Sequence, residues 1–590
     1  MKIFQNIEPT LRWRPDFVHG MPVARDTLRF ALVMPTARFQ LKPPLFTLSS
    51  FRVRAPPPYG RSESCGAPRG DSLAAERVLL DEPTMWGLLE ARVALTPDAP
   101  MVADDRRSIT FAEFRGEALR AAAGLRDLGV GENTTVAWQL PTWIETVVLM
   151  AALARIGARQ VPLLPIYKER ELRFCLEQSQ ATFMLHPGMW RGTDFGATVH
   201  NSGALDAGTL TLVQCDHALP QGDPMALPLP PAPEDGERLR WVFYTSGTTA
   251  DPKGVQHCDR SVIAGGYPQG DRQGFRPGDR YGLAFPFTHI GGATNLAAVL
   301  ICGFQLVLAE AFAPDATTAF YREHDVTVTG GGTAFYLAFL DQQRKHGAEK
   351  IFPNLRFMSG GAAPMPPHLH PEVREVLGGK GVAHCYGMTE GCTIGMNDPD
   401  DTDDHLMHTV GRPVSRVDVR IRDLDGNDLP PNTEGQVTIR GPLVFAGYLD
   451  ESLNADVFDD EGWFSTGDLG VLDDDRYLKI VGRIKDIIIR KGENVSAAEV
   501  EGVLAAHPAI GDVGVIGVPD EERGEMVCAV VAVEDGKTLT LDDIMQCCID
   551  AGMMRQKIPE RLELVATLPR NTAGKIEKRI LRERFGPTNR

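Results

Sequence analysis

The chain has 590 residues, 43% apolar and 24% charged, an ordinary globular composition that is too long for one hydrophobic core. Its formal net charge of −17 argues against a nucleic-acid binder, since neutralising phosphates takes clustered Lys and Arg, and against an anionic membrane surface. The ten cysteines, single apart from Cys547-Cys548, lack zinc-type spacing and read as reduced, mostly buried thiols of a cytoplasmic protein.

The first 78 residues carry twelve Lys and Arg against six Asp and Glu, while the remainder is strongly acidic. Ten prolines, Pro56-Pro57-Pro58 among them, interrupt any helix or strand there, so 1–78 is expected to be a poorly ordered extension. A targeting leader or a mis-chosen start are the alternatives. From about Met85 the pattern becomes regular. Thr110 and Glu113 form a capping box, in which each side chain satisfies an orphan backbone donor of a helix start. The helix carries Phe114, Ala118, Leu119, Ala122 and Leu125 on one face and stops near Gly129. A strand over Thr135 to Leu140, a helix from about Trp143 to Arg155 closed by Gly157, and a short strand at Val161 to Leu164 make a unit that demands a parallel crossover.

Trp241-Val242-Phe243-Tyr244 reads as a buried strand that delivers the segment Tyr244-Thr-Ser-Gly-Thr-Thr-Ala-Asp-Pro-Lys-Gly254 at a strand end, where α/β sheets place ligands. The hydroxyls of Thr245, Ser246, Thr248 and Thr249, the backbone exposed by Gly247 and the charge of Lys253 can replace the water around polyphosphate oxygens. The common P-loop is excluded, because Pro252 precedes Lys253 and Gly254 follows it. The apolar stretch Leu296 to Ala313 is interrupted by Gln305 and Glu310 and reads as core, so no membrane-spanning segment is expected. Alternation continues through Ile301 to Leu308, Val326 to Leu340 and Leu355 to Met358, which implies several α/β units on stacked sheets. Near Val481 to Asp486 the acidic run Asp473 to Asp475 gives way to a basic segment, the expected hinge. Beyond it, a helix from Ala497 to Ala506 and strands at Val513 to Val518 and Met526 to Val533 suggest a small α+β domain. The expected division is a large domain over 79–482 and a small one over 483–590.

Four further segments make the loop at 244–254 specific: Tyr386-Gly-Met-Thr-Glu390, Ser465-Thr-Gly-Asp468, Gly482-Arg-Ile-Lys-Asp486 and Pro569-Arg-Asn-Thr-Ala-Gly-Lys575. In this order and spacing they resemble the adenylate-forming superfamily, from about Met85 to Phe585, and within it the acyl-CoA synthetases, nearest the cyclohexanecarboxylate–CoA and medium-chain fatty-acid–CoA ligase branch. The resemblance implies an α/β fold, with a large N-terminal domain of stacked α/β subdomains and a small mobile α+β C-terminal domain. It implies ATP, Mg²⁺ and CoA as co-substrates and cofactor, a small carboxylic acid as substrate, and two half-reactions: acyl-AMP formation with release of pyrophosphate, then thioester formation.

The residue types suit that chemistry, since nucleotidyl transfer needs charge placement more than covalent help. By motif, Glu390 would hold the magnesium, which takes oxygen ligands, and Thr389 would bond the α-phosphate. Asp468 would accept the ribose hydroxyls, with Arg483 as a second ribose contact. The Tyr386 ring would stack on adenine, with backbone from Gly360, Gly361, Ala362 and Gly387 alongside. Lys575 would bridge carboxylate and α-phosphate. Lys485 is the implied pivot, and Gly492 would lie beside the CoA pantetheine after rotation.

By family position the acyl pocket involves His289, Gly291 and Gly292, then Gly330 to Thr333 with Gly332, Tyr336, and Gly387 to Met388. The triple glycine at 330 to 332 reads either as room for a wide or ring-shaped acid or as a tight backbone turn. Ser465 departs from the Arg, Tyr or His frequent before Thr-Gly-Asp, so a contact to the small domain is expected to be missing. Peptide-synthetase domains hold an aspartate near Phe287 for the amino group, so Phe285-Pro-Phe-Thr-His289 argues against an amino acid. The remaining alternatives are a fatty acyl-AMP ligase that hands its product to a carrier protein and a non-catalytic nucleotide or acyl binder.

Overall fold

The computed structural model describes residues 78–586 except 207, 246–251, 362–364, 424, 491–492, 521–522 and 571–574. The expected extension, apart from Val78, therefore lies outside the described residues, as do Ser246, Gly247, Thr248, Thr249, Ala362 and Gly492. The described residues belong to one compact unit, Leu73–Arg590.

Two large sheets dominate. A nine-stranded sheet runs, edge to edge, through Arg412–Pro413, Cys392–Met396, Val382–Met388, Phe357–Gly360, Val328–Gly331, Arg280–Leu283, Gln305–Leu308, Pro100–Ala103 and Ser108–Thr110. A seven-stranded sheet runs through Gly447–Tyr448, Lys253–Cys258, Leu239–Thr245, Arg159–Pro162, Thr135–Trp138, Phe183–His186 and Thr211–Gln214. The crossover expected from the sequence is parallel, with Val136 opposite Gln160.

Strand alternation sorts side chains into layers, because successive residues face opposite sides of a sheet. Trp241 and Phe243 join a core with Val102, Leu283 and Leu306 of the nine-stranded sheet, and with the helices Ile144–Ile156 and Ile290–Cys302. Their neighbours Val242 and Tyr244 face the opposite side, against Leu172, Cys175 and Leu176. The outer face of the nine-stranded sheet is covered through Val307, Met358, Tyr336 and Phe339. The helix Ile144–Ile156 is buried all round, as its apolar run from Val147 to Ala154 dictates. Gly157 ends it at φ 77°, a left-handed cap that glycine reaches without strain. The capping box forms as expected at the start of Phe111–Asp127: the Glu113 N–H donates to Thr110 Oγ1 at 3.2 Å, and the Thr110 N–H donates to Glu113 Oε2 at 2.8 Å.

A four-stranded antiparallel sheet, Asp418–Arg422, Gly435–Arg440, Phe464–Leu472 and Leu478–Arg483, follows. The last segment builds a five-stranded sheet in which Ile510–Asp520, at the edge, pairs antiparallel with the central Gly524–Val533, to which Arg561–Val565 adds in parallel. One face of it packs Val515, Ala529 and Val531 on the helices Ala497–Leu504 and Leu541–Asp550, and the other packs Ile516, Cys528 and Val530 on Leu581. The large α/β part and smaller α+β part expected from the sequence are both present. Among the described residues no helix is long and apolar enough to cross a membrane.

The strand Val328–Gly331 lies so close to Phe357–Gly360 that a Cβ on Gly330, at φ +146°, would sit 2.0 Å from the Ser359 carbonyl oxygen. Gly330→Ala is therefore expected to cost about 2–4 kcal/mol, from backbone strain together with overpacking, read as a lower urea midpoint. An unchanged midpoint would refute the close approach.

Candidate functional site

The hydroxyl-rich loop joins two antiparallel strands, Leu239–Thr245 and Lys253–Cys258, whose register sets Lys253 opposite Thr245. Sequence reasoning put the loop at a strand end; pairing its two flanks into a hairpin brings its first hydroxyl and its lysine to one mouth. The hairpin is braced from below by the Tyr167 hydroxyl, which donates to the Tyr244 carbonyl at 3.3 Å, and by the Tyr244 hydroxyl, which donates to the Cys175 carbonyl at 3.1 Å.

Beside the hairpin, Val382–Met388 ends in the turn Thr389–Gly391, after which Cys392 takes a positive φ of 45°. Three contacts hold this turn. The His257 Nε2–H donates to the Thr389 carbonyl at 2.8 Å, the Phe445 N–H donates to the Glu390 carbonyl at 2.8 Å, and the Tyr448 hydroxyl donates to Glu390 Oε1 at 2.8 Å. A carbonyl oxygen only accepts, so His257 carries its proton on Nε2, and its Nδ1 accepts from the Ser261 hydroxyl at 2.9 Å. Burial pushes the His257 pKa down to about 4, which keeps the ring neutral. Burial, then Glu390, raises the Tyr448 hydroxyl, which therefore stays a donor. The Lys253 ammonium lies 4.9 Å from the centre of the Tyr448 ring. Neither His257 nor Tyr448 stood out in the sequence. The available signal was that His257 and Lys253 share one strand, four residues apart.

Asp468 lies opposite Arg483 on paired strands and is buried. Its Oδ1 accepts from Arg483 Nε at 2.8 Å and its Oδ2 from the Tyr386 hydroxyl at 2.5 Å. Burial, then Asp468, raises the Tyr386 pKa well above the usual phenol range, so it too remains a donor.

Lys575 reaches this group. Burial first, then the charge of Arg483, holds its ammonium below the ordinary lysine range, while Asp468 and Glu390 pull it back up. His289, at the N-cap of Ile290–Cys302, is pushed down to about 4 by burial and then by Lys575. Lys485 is also held below the lysine range, by desolvation and then Arg483, with Lys253 acting in the same direction and Asp486 and Asp468 opposing. One electrostatic neighbourhood thus joins Lys575 and Lys485 to Glu390, Asp468, Arg483, Lys253 and His289.

The glycines have steric causes. A Cβ on Gly360 would lie 2.6 Å from the Tyr336 hydroxyl, one on Gly361 2.4 Å from the Cys385 carbonyl, and one on Gly387 2.0 Å from the Cys392 carbonyl. A Cβ on Gly292 would lie 2.2 Å from the Phe287 carbonyl, which lets the start of the His289 helix fold onto the 285–289 turn. The triple glycine serves close backbone packing: Gly330 meets Ser359, Gly331 at φ +143° meets the Phe335 ring, and Gly332 meets the Gly361 carbonyl. Gly330 and Gly331 are residues of the strand Val328–Gly331 and form no tight turn; their lack of a Cβ admits the neighbouring strand. Thr333 starts the next helix, Thr333–His346, and Tyr336 on it is buried; among the described residues its hydroxyl has no hydrogen-bond partner. Met388 packs against the core of the four-stranded sheet. Phe287 is buried in the main core. Ser465 sits opposite Thr438 on its neighbouring strand.

The AMP-binding enzyme family model matches residues 89–449 and the AMP-binding enzyme C-terminal domain matches 499–575. The chain is 32% identical over 503 residues to the medium-chain fatty-acid–CoA ligase of Escherichia coli K12, covering 82% of this chain and 88% of that protein. It is 30% identical to the oxalate–CoA ligase of Arabidopsis thaliana, covering 86% and 99%. Among solved structures, ATP-bound MatB of Rhodopseudomonas palustris superposes with a TM-score of 0.77 at 27% identity, over 86% of this chain and 99% of that one. The o-succinylbenzoate–CoA synthetase MenE of Bacillus subtilis, in complex with its acyl-adenylate, gives 0.73 at 27% identity, over 87% and 99%. The chain therefore belongs to the AMP-binding enzyme family and is an adenylate-forming ligase of the acyl-CoA synthetase type.

Proposed function

We propose that this enzyme activates a medium-chain, fatty or alicyclic carboxylic acid as its acyl-adenylate and then transfers the acyl group to CoA, releasing AMP and pyrophosphate. The observation that carries this reading is the electrostatic convergence of Lys575, near the end of the small C-terminal segment, on Asp468 and Glu390 of the large one and on Arg483 at the start of the small one. The likeness to a medium-chain fatty-acid–CoA ligase supports the choice of acid. Phe285 and Phe287, which precede His289 in the sequence and stack at 6.5 Å, bring no charge to this segment, in keeping with an uncharged acyl chain.

In this reading the division falls between 79–482 and 483–590. Asp468 accepts the ribose hydroxyls in exchange for the Tyr386 hydroxyl, which frees the Tyr386 ring to lie along adenine beside Gly360, Gly361, Ala362 and Gly387. Thr245, Ser246, Gly247, Thr248, Thr249 and Lys253 cradle the polyphosphate, and Thr389 bonds the α-phosphate. Lys575 bonds the substrate carboxylate and an α-phosphate oxygen together, so that attack on phosphorus is in line and the growing negative charge is met by a fixed cation. Among the described residues no group of three or more His, Cys, Asp or Glu forms a metal cage. A single buried carboxylate, Glu390, fits Mg²⁺, which binds through one or two carboxylates plus substrate phosphates. Such an ion supplies charge neutralisation of the polyphosphate. His289, Gly292, Gly332, Thr333, Tyr336 and Met388 border the acyl group. Lys485 is the pivot about which the small domain turns, exchanging Lys575 for the segment around Gly492 next to CoA.

Lys575→Ala is expected to lower acid-dependent exchange of labelled pyrophosphate into ATP by about 10²–10³-fold. Thioester formation from supplied acyl-AMP should survive; equal loss of both half-reactions would refute the assignment. Because the ammonium is the working form and its pKa is depressed, exchange should fall as pH rises through a value below that of an ordinary lysine. Lys575→Arg should move that alkaline limb upward, and a limb that stays in place would assign it to another group. A proline at Lys485, with φ fixed, is expected to spare exchange and block thioester formation. Unimpaired thioester synthesis would count against the pivot. A panel of acids with and without CoA then separates a CoA ligase from an enzyme that stops at acyl-AMP.

A further inference from the structure

We propose that Tyr448 is a positioning residue of the adenylation site, its hydroxyl setting the Glu390 carboxylate and its ring carrying the Lys253 ammonium. The proposal rests on the roles given to Glu390 and Lys253 above and adds the side chain that ties them together.

Tyr448 sits on the two-residue edge strand Gly447–Tyr448, opposite Val255 of the strand that follows the hydroxyl-rich loop. Its backbone is held on three sides. The Leu449 N–H donates to the Gly254 carbonyl at 2.8 Å, the Ala446 N–H to the Gln256 carbonyl at 2.9 Å, and the Tyr448 N–H to Asn454 Oδ1 at 2.8 Å. The edge strand is therefore registered on the residues immediately after Lys253. From there the side chain runs to Glu390, 58 residues away in sequence, and bonds Oε1 at 2.8 Å. Fixing one carboxylate oxygen sets the plane of the group and so the direction in which Oε2 points. The same ring presents its face to Lys253 at 4.9 Å, an arrangement that attracts an ammonium while leaving its N–H donors unspent on a carboxylate. A tyrosine kept only for packing would account for the edge contact with Phe445 at 4.9 Å, but not for its meeting a buried acid with one end and a lysine with its face.

Calorimetric titration with α,β-methylene ATP, in Mg²⁺ and again in EDTA, separates the two contacts. Tyr448→Phe keeps the ring and loses the hydroxyl. It is expected to weaken binding in Mg²⁺ by about tenfold, the size of one hydrogen bond to a charged group, and to leave binding in EDTA unchanged. Tyr448→Leu loses both contacts and should weaken binding in EDTA as well; should it fail to fold, Lys253→Gln is expected to show that EDTA deficit in its place. Thioester formation from supplied acyl-AMP should be unaffected by Tyr448→Phe. Wild-type affinity of Tyr448→Phe in Mg²⁺, or equal losses in Mg²⁺ and EDTA, would overturn the proposal and leave Tyr448 a core residue. Because the titration needs no acid and no turnover, it is independent of whether pyrophosphate exchange is found, so a failure of the proposed function is told apart from a failure of this inference.

Discussion

The site is organised by a buried carboxylate. Asp468 is 3% exposed, and a charge so withdrawn from water is tolerated only when paired and hydrogen-bonded. Arg483 and Tyr386 satisfy it directly, while Lys575 and Lys485 feel its charge. The compensation overshoots. Four cations, Lys253, Arg483, Lys485 and Lys575, share the neighbourhood of three carboxylates, Asp468, Glu390 and Asp486, and both Lys485 and Lys575 are held below the lysine range by burial first and then by Arg483. An excess of desolvated positive charge is a standing electrostatic cost, and a polyphosphate is the chemistry that offsets it.

That excess also bears on how the two parts of the chain work together. Asp486, next to Lys485, is held below the usual carboxylate range by Lys578, Arg582 and Lys485 against the effect of burial. Arg582 pairs with it at 2.8 Å, and Lys578 pairs with Glu501 at 2.8 Å, so the helix Lys578–Phe585 behind Lys575 is fastened to the turn after Lys485. The helix that follows Lys575 and the turn after Lys485 are therefore tied together. On the proposed reading, Arg483 repels Lys575 whenever no polyphosphate lies between them. Binding of ATP and docking of Lys575 then favour each other by the same free energy, as linkage requires, and loss of the phosphates loosens the docked arrangement. The repulsion that costs stability in one arrangement makes the arrangement reversible.

What the sequence made legible was local. The capping box at Thr110 and Glu113, the left-handed stop at Gly157 and the buried helix between them follow from side chains that touch within a turn of helix. The five segments that mark the site were legible as a set because each is short and contiguous. What joins them was not. Thr245 and Lys253 meet through strand register, Asp468 and Arg483 through antiparallel pairing, and Glu390 meets Tyr448 across the edge of a different sheet. Such contacts depend on which strands become neighbours, and alternation of apolar residues carries no information about that. The triple glycine was ambiguous for the same reason. Whether Gly330 leaves a hole or admits a neighbour depends on the Ser359 carbonyl, which arrives from another strand.

The turn at Thr389–Gly391 illustrates why such contacts are worth their complexity. A short turn followed by Cys392 at positive φ is not a conformation the local sequence prefers, so it persists only where surroundings over-determine it. Three elements do so from different directions: His257 from the hairpin strand, the Phe445 backbone, and Tyr448 from the edge strand. A charged imidazole in place of neutral His257 would add one more cation to a neighbourhood already in surplus, and burial removes that option by lowering its pKa to about 4. The neutral ring then acts as a directional donor to Thr389 through Nε2 while Nδ1 accepts from Ser261. Positions held this way require no reorganisation when charge develops, which is how fixed donors and dipoles lower a barrier.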